Sequence, residues 1–201
     1  MSLTPAAFYF DLASPLAYLA AERVLHELGV AAEWRGVLER ALPGPDAFAA
    51  LRCEDDHAAA LERVERRAAE LGLQPLRWPD PFPFDSALAM RVATYARSIG
   101  RTVPFAQAAF RQAFAGGHSL ANPDFVLIAA AACEMHPTAV LKAAERPAVA
   151  EQLAATTAAA AVSGVGAVPA IVLGEHVFEG ERALEQATAH LGDGALARGS
   201  R

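Results

Sequence analysis

The sequence predicts an α/β fold: a four-stranded mixed sheet with a large all-α insertion. Three observations carry this. Residues 1–40 read as strand, helix, strand. Residues 164–192 read as strand, strand, helix. Between them, residues 41–163 hold several helical patterns and almost no strand signal. The two ends combine into one sheet domain, and residues 193–201 are expected to form a disordered tail.

Residues 7–11 form a short apolar run that suits a buried strand. Residues 15–29 place Leu16, Leu19, Ala20, Val24 and Leu28 at near-helical spacing, and Gly29 follows as a C-cap. With a strand at 31–37, these make a βαβ unit with a right-handed crossover. In the middle, residues 55–71 set Ala58, Leu61, Val64, Ala68 and Leu71 on one face and charged residues elsewhere. Trp78–Phe84 carries three alternate prolines and must be a loop. Asp85 or Ser86 caps the next helix, which Gly100 ends. A helix over 103–115 and further helices at 122–134, 137–145 and 147–163 follow, broken at Asn122-Pro123 and His136-Pro137. The β-rich run 165–173, the turn Gly174-Glu175 and the strand 176–178 read as a hairpin leading into a helix over 181–191.

Composition narrows the function. Hydrophobic residues make up 54%, enough for a full core. The net charge of −6, with both signs scattered, argues against nucleic acid as a partner. No signal-peptide pattern opens the chain and no apolar run reaches membrane-spanning length, so a cytoplasmic protein with no membrane association is expected. The two cysteines, Cys53 and Cys133, lie far apart without a C-x-x-C, which argues against a disulfide framework. No metal-ligand spacing is apparent.

The strand-to-helix junction at Ser14-Pro15 draws attention. On local grounds Ser14 is a helix N-cap with proline at the first helical position. The same place gathers free N–H groups and partial positive charge, a seat for an anion or a thiolate. Both readings stand at this level.

Four segments, in this order, span nearly the whole chain: Phe8-Tyr9-Phe10-Asp11 with Ser14-Pro15-Leu16-Ala17-Tyr18-Leu19; the Trp78–Phe84 loop; Gly164-Val165-Gly166-Ala167-Val168-Pro169; and Phe178-Glu179-Gly180-Glu181. This arrangement resembles the thioredoxin fold with an all-α insertion. In detail it resembles the DsbA-related branch of kappa-class glutathione transferases and 2-hydroxychromene-2-carboxylate isomerases.

The resemblance implies a glutathione-dependent enzyme, an isomerase or a transferase. Where redox relatives carry C-x-x-C, this chain has Ser14-Pro15-Leu16-Ala17, so dithiol exchange is ruled out. Ser14 is then the catalytic residue, donating a hydrogen bond that favours the thiolate of bound glutathione and not acting as a nucleophile. The resemblance further implies a cis bond before Pro169, with Val168 pairing its backbone to the cysteinyl unit. The cofactor's γ-glutamyl end falls to Glu179, Gly180, Glu181 and Arg182, although Arg182 stands where relatives have aspartate. Trp78, Phe82 and Phe84 are candidates for an apolar wall around a small aromatic acid substrate, and are equally candidates for core. Arg52 and His57 are the nearest polar groups where relatives offer an asparagine. A homodimer is expected from the family. The alternatives are a relative binding another thiol or small acid, and a non-catalytic binding module.

Overall fold

The computed structural model describes residues 6–45 and 54–199. Four strands form one mixed sheet in the order β2-β1-β3-β4: β1 Ala6–Phe10, β2 Ala32–Gly36, β3 Ala170–Leu173 and β4 His176–Glu179. β1 pairs parallel with β2, and β3 runs antiparallel to both β1 and β4. This is the sheet that the βαβ and ββα ends predict.

Strand alternation sorts the side chains into two cores. Phe8, Phe10, Trp34, Ile171 and Leu173 face the larger one. Trp34 meets Phe8 edge-on, with centroids 4.9 Å apart. Ala7, Tyr9, Ala170, Val172 and Val177 face the smaller one. Each fully buried large apolar side chain contributes about 1.5–3 kcal/mol, so the register is fixed on both faces.

The helices divide by what they pack on. α1 (Pro15–Ala21), α3 (Glu54–Glu70), α4 (Ala87–Ser98), α5 (Thr102–Phe110), α6 (Pro123–Ala131), α7 (Pro137–Ala144) and α9 (Ala183–Gly199) all contribute to the larger core. α8 (Pro147–Val162) joins the larger core through Leu153 and also reaches the other face, where Ala160 joins Tyr9, Val37 and Val165. Thr157 of α8 also accepts a hydrogen bond from the Leu38 N–H just past β2, at 3.0 Å. The last helix before β3 thus acts as the second cover of the sheet.

Several boundaries differ from expectation. The helix predicted over 15–29 is two pieces, α1 and a short α2 (Val24–Glu27). The chain tightens at Glu22 and Arg23, whose N–H groups bond to Tyr18 and Ala20 carbonyls. The tightening keeps Val24 and Leu28 buried while Arg23 reaches Glu27 and Glu185. The helix predicted over 103–115 closes in a π-type turn, Arg111–Ala115.

Of the tail expected at 193–201, residues 200 and 201 lie outside the described residues. α9 runs through Gly199, past the Leu191 end predicted for it. Among the described residues, no helix is long and apolar enough to cross a membrane.

Candidate active site at the Ser14 turn

The sheet register gathers the site. Phe10 is opposite Gly36, Tyr9 opposite Ala170, and Ala170 opposite Glu179. The chain therefore leaves β1, β2 and β4, and enters β3, at one end of the sheet. Ser14, the Leu38–Leu42 stretch, Val168-Pro169 and Gly180-Glu181 all belong to that end.

Ser14 caps α1. Its backbone is extended, its N–H donates to the Asp11 carbonyl at 3.0 Å, and its Oγ accepts from the Ala17 N–H at 3.3 Å. Pro15 fills the first helical position. The residue is buried, 4% exposed. Because Oγ is used as an acceptor, the hydroxyl hydrogen is left over; among the described residues no acceptor takes it. One turn on, burial pushes the Tyr18 phenol above its usual value, so it stays a neutral O–H donor at physiological pH.

Asp11 is the residue that sequence reasoning undervalued. It is 3% exposed. One carboxylate oxygen accepts from the Ala13 N–H at 3.0 Å, and the other from the Glu39 N–H at 2.9 Å. The first bond is an Asx turn that orients the approach to Ser14. The second ties that turn to the end of β2. The local half was readable: an aspartate between an apolar strand and a Ser-Pro step is a turn signal. The link to Glu39 has no local signature. Asp11→Ala is expected to cost about 3 kcal/mol, since two half-buried N–H groups lose a charged acceptor. In a thermal melt this reads as a fall of about 6–12 °C.

Beside the turn lies a cavity of about 80 Å³, lined by Asp11, Ala13, Glu39, Arg40, Phe84 and Asp85 among others. Arg40 and Asp85 join its two walls through an ion pair at 2.9 Å. Asp85 also accepts from the Ala87 N–H at 2.9 Å, so it is Asp85, not Ser86, that caps α4. In this arrangement the cavity holds a few waters, well below the roughly 300–1,000 Å³ of a typical small-molecule site.

The other predicted residues fall in distinct places. The Val168–Pro169 bond is cis, as the resemblance implied. Both residues are buried at the start of β3. The Glu179 carboxylate accepts from the Gly166 and Ala167 N–H groups, bracing the loop before Pro169. The Gly180 N–H donates to the Pro169 carbonyl at 2.9 Å, and Gly180 takes a φ of 78°, which suits glycine. Glu181 lies 3.5 Å from Arg67, which also grips Glu185 at 2.6 Å. Arg182 is exposed in the turn before α9. Phe84 lines the cavity, whereas Trp78 and Phe82 pack against Phe114 and the larger core. The Trp78 indole N–H donates to Glu65, and His57 stacks over Phe82 with centroids 6.0 Å apart. Arg52 lies outside the described residues, as does Cys53.

Ser14-Pro15-Leu16-Ala17 holds no thiol of its own. The turn offers a hydroxyl hydrogen at a helix N-terminus, which suits a bound sulfur. The far end suits glutathione less well. Glu179 and the Gly180 N–H serve the protein's own loops and Glu181 is paired, which leaves Arg182. Cys133 is buried and its thiol is pushed up by that burial, so it is no reserve nucleophile. Among the described residues, no group of three His, Cys, Asp or Glu is placed to hold a metal ion.

Comparison with known proteins places this geometry. The profile of a family described as "DSBA-like thioredoxin domain" matches residues 7–192. No curated protein matches the sequence. Among solved structures, 2-hydroxychromene-2-carboxylate isomerase superposes with a TM-score of 0.82 at 19% identity, covering 97% of this chain and 98% of that one. A probable DsbA oxidoreductase from Streptomyces coelicolor gives 0.77 at 22% identity, covering 98% and 91%. The cytosolic disulfide reductase DsbM from Pseudomonas aeruginosa, solved with GSH, gives 0.66 at 15% identity, covering 95% and 98%. At these identities the likeness is one of fold.

Proposed function

The chain belongs to the DsbA-like thioredoxin family, a family of oxidoreductases and isomerases, and from that premise we propose that it is a glutathione-dependent isomerase of the 2-hydroxychromene-2-carboxylate type. One observation carries the reading. The helix N-terminus that redox relatives equip with a thiol here carries Ser14, whose hydroxyl hydrogen has no acceptor among the described residues.

Bound glutathione would supply the sulfur nucleophile that the turn lacks, adding reversibly to a conjugated aromatic acid so that a bond can rotate. The protein's own residues do the rest. Ser14 donates its hydroxyl hydrogen to the sulfur, and the N-terminal end of α1 favours the thiolate. Val168, at the entrance to β3, offers backbone groups to the cysteinyl unit. Admitting an aromatic acid requires Arg40 and Asp85 to part. They are 59% and 61% exposed, so this ion pair contributes at most about 1 kcal/mol and yields readily.

A second reading has its own observation. With Glu179, Gly180 and Glu181 engaged internally, the exposed charge at the start of α9 is Arg182. A thiol with a carboxylate at that end, or another small acid, suits a guanidinium. Calorimetry decides between them. Saturable heat with millimolar glutathione, abolished in Ser14→Ala, is the expected result. Silence with glutathione but binding of another acidic thiol would move the assignment to the second reading. Silence with every thiol leaves a non-catalytic binding module. A homodimer belongs to the same proposal, and light scattering coupled to gel filtration checks it.

A further inference from the structure

A second recess lies in the helical part, between α4 and α7. It is an open recess of about 410 Å³. Tyr95 comes from α4; His136, Thr138, Lys142 and Ala143 come from α7 and its cap; Arg146 closes the rim. The volume is in the range of small-molecule sites. Ala143 is buried and Tyr95 half-buried, which gives a flat, apolar floor.

The rim is cationic. No carboxylate lines the recess, although the whole chain carries a net charge of −6. Lys142, in the last turn of α7, and Arg146, just past that helix, are exposed, and among the described residues neither has a salt-bridge partner. Arg146 is also the N-cap residue of α8. Its side chain makes no capping bond, and the first turn of α8 holds no acidic residue. A cation at the positive end of a helix raises the local potential instead of neutralising it. The first turn of α7 has no acidic residue either. The start of α8 and the two cations without salt-bridge partners among the described residues thus set the charge of this rim, with the C-terminal end of α7 and Glu145 beside them.

We propose that the α4–α7 recess binds a small anion carried on a single aromatic ring, with the ring against Tyr95 and the Ala143 floor and the anionic head between Lys142 and Arg146. Aryl carboxylates and aryl phosphates share this chemistry. The site is separate from the Ser14 turn and does not depend on how that turn is used.

The test titrates phenyl phosphate and benzoate, each against phenol, into the wild-type protein and into the Lys142→Gln/Arg146→Gln double variant. The readout is calorimetry or ligand-detected NMR. Both changes are at exposed positions, and a thermal melt checks that the variant is folded. The expected result is saturable binding of at least one anion with phenol weaker. The double variant should weaken it about tenfold or more. Raising salt from about 50 to about 500 mM should weaken it in the wild type alone. Whichever probe binds tighter identifies the head group. No saturation of either anion below about 10 mM, or equal affinity in the double variant, overturns the proposal. Binding that survives the double variant but disappears in Ser14→Ala also overturns it, by moving the ligand to the other site.

Discussion

Ser14→Ala is expected to lower thiol-dependent turnover about 100-fold, the usual consequence of deleting one donor aimed at developing negative charge. Two effects of the substitution must be kept apart. The first is loss of the cap. Oγ accepts from the Ala17 N–H, and removing it costs about 1 kcal/mol, a fall in melting temperature of about 2–4 °C. The second is loss of the O–H directed at the sulfur. Ser14→Thr separates them, because threonine keeps a hydroxyl and caps nearly as well. If Ser14 only caps, alanine lowers the melting temperature and leaves turnover alone. If it stabilises a thiolate, alanine lowers turnover and threonine restores much of it. A thiolate absorbance titration gives an independent reading. The wild-type protein should hold bound thiol ionised well below its free value of about 8.5, and alanine should move the midpoint back up. The stabilising contribution is fully present above the free thiol's value of about 8.5 and is lost as pH falls from there through the lowered midpoint.

The parts of this molecule that were legible in the sequence are those encoded over short range. The continuous apolar run of β1, Pro15 behind an N-cap serine, and glycine at the end of α4 each state their own conformation, and the structure has them. The order of elements was enough to predict the four-stranded sheet because connections follow few rules. What could not be read is where distant segments meet. Asp11 reaches Glu39 across twenty-eight positions, and Arg40 reaches Asp85 across forty-five. Neither pair has a spacing that a local pattern can announce. The charge of Glu181 looked available for a ligand, and it is Arg67, far away on α3, that takes it. The role of α8 shows the same limit. Its alanine-rich sequence has no strong apolar face, so nothing in it told that it would join the other helices through Leu153 and also cover the second side of the sheet through Ala160.

Phe114→Ala is expected to be the most destabilising of the changes considered, at about 4 kcal/mol, or a loss of about 8–16 °C in melting temperature. The reason bears on the aromatic residues that the sequence offered as a substrate wall. Phe114 has no solvent exposure and sits in the π-type turn after α5. Tyr18 of α1 stacks on it at 5.6 Å, and Trp78, Phe82 and Phe84 surround it at 6.2, 6.2 and 6.5 Å. Its carbonyl accepts from the Arg77 N–H at 2.8 Å, so the proline-rich loop is moored to it through both backbone and rings. Removing the ring leaves a cavity where that loop, α1 and α5 converge, and the loop loses its anchor. Trp78 should then become more mobile and its fluorescence should shift to the red, a local readout besides the melt. The neighbours discriminate wall from core. Phe84 borders the cavity beside Ser14 and is 7% exposed, so Phe84→Leu should change substrate affinity at little cost in stability. Phe82 lies between Phe114 and His57 and does not line that cavity. Phe82→Leu should therefore leave substrate affinity unchanged. A change in affinity from Phe82→Leu, with the melting temperature intact, would mean that the aromatic acid enters along the α3 side of the loop and that the cavity beside Ser14 is only its inner end.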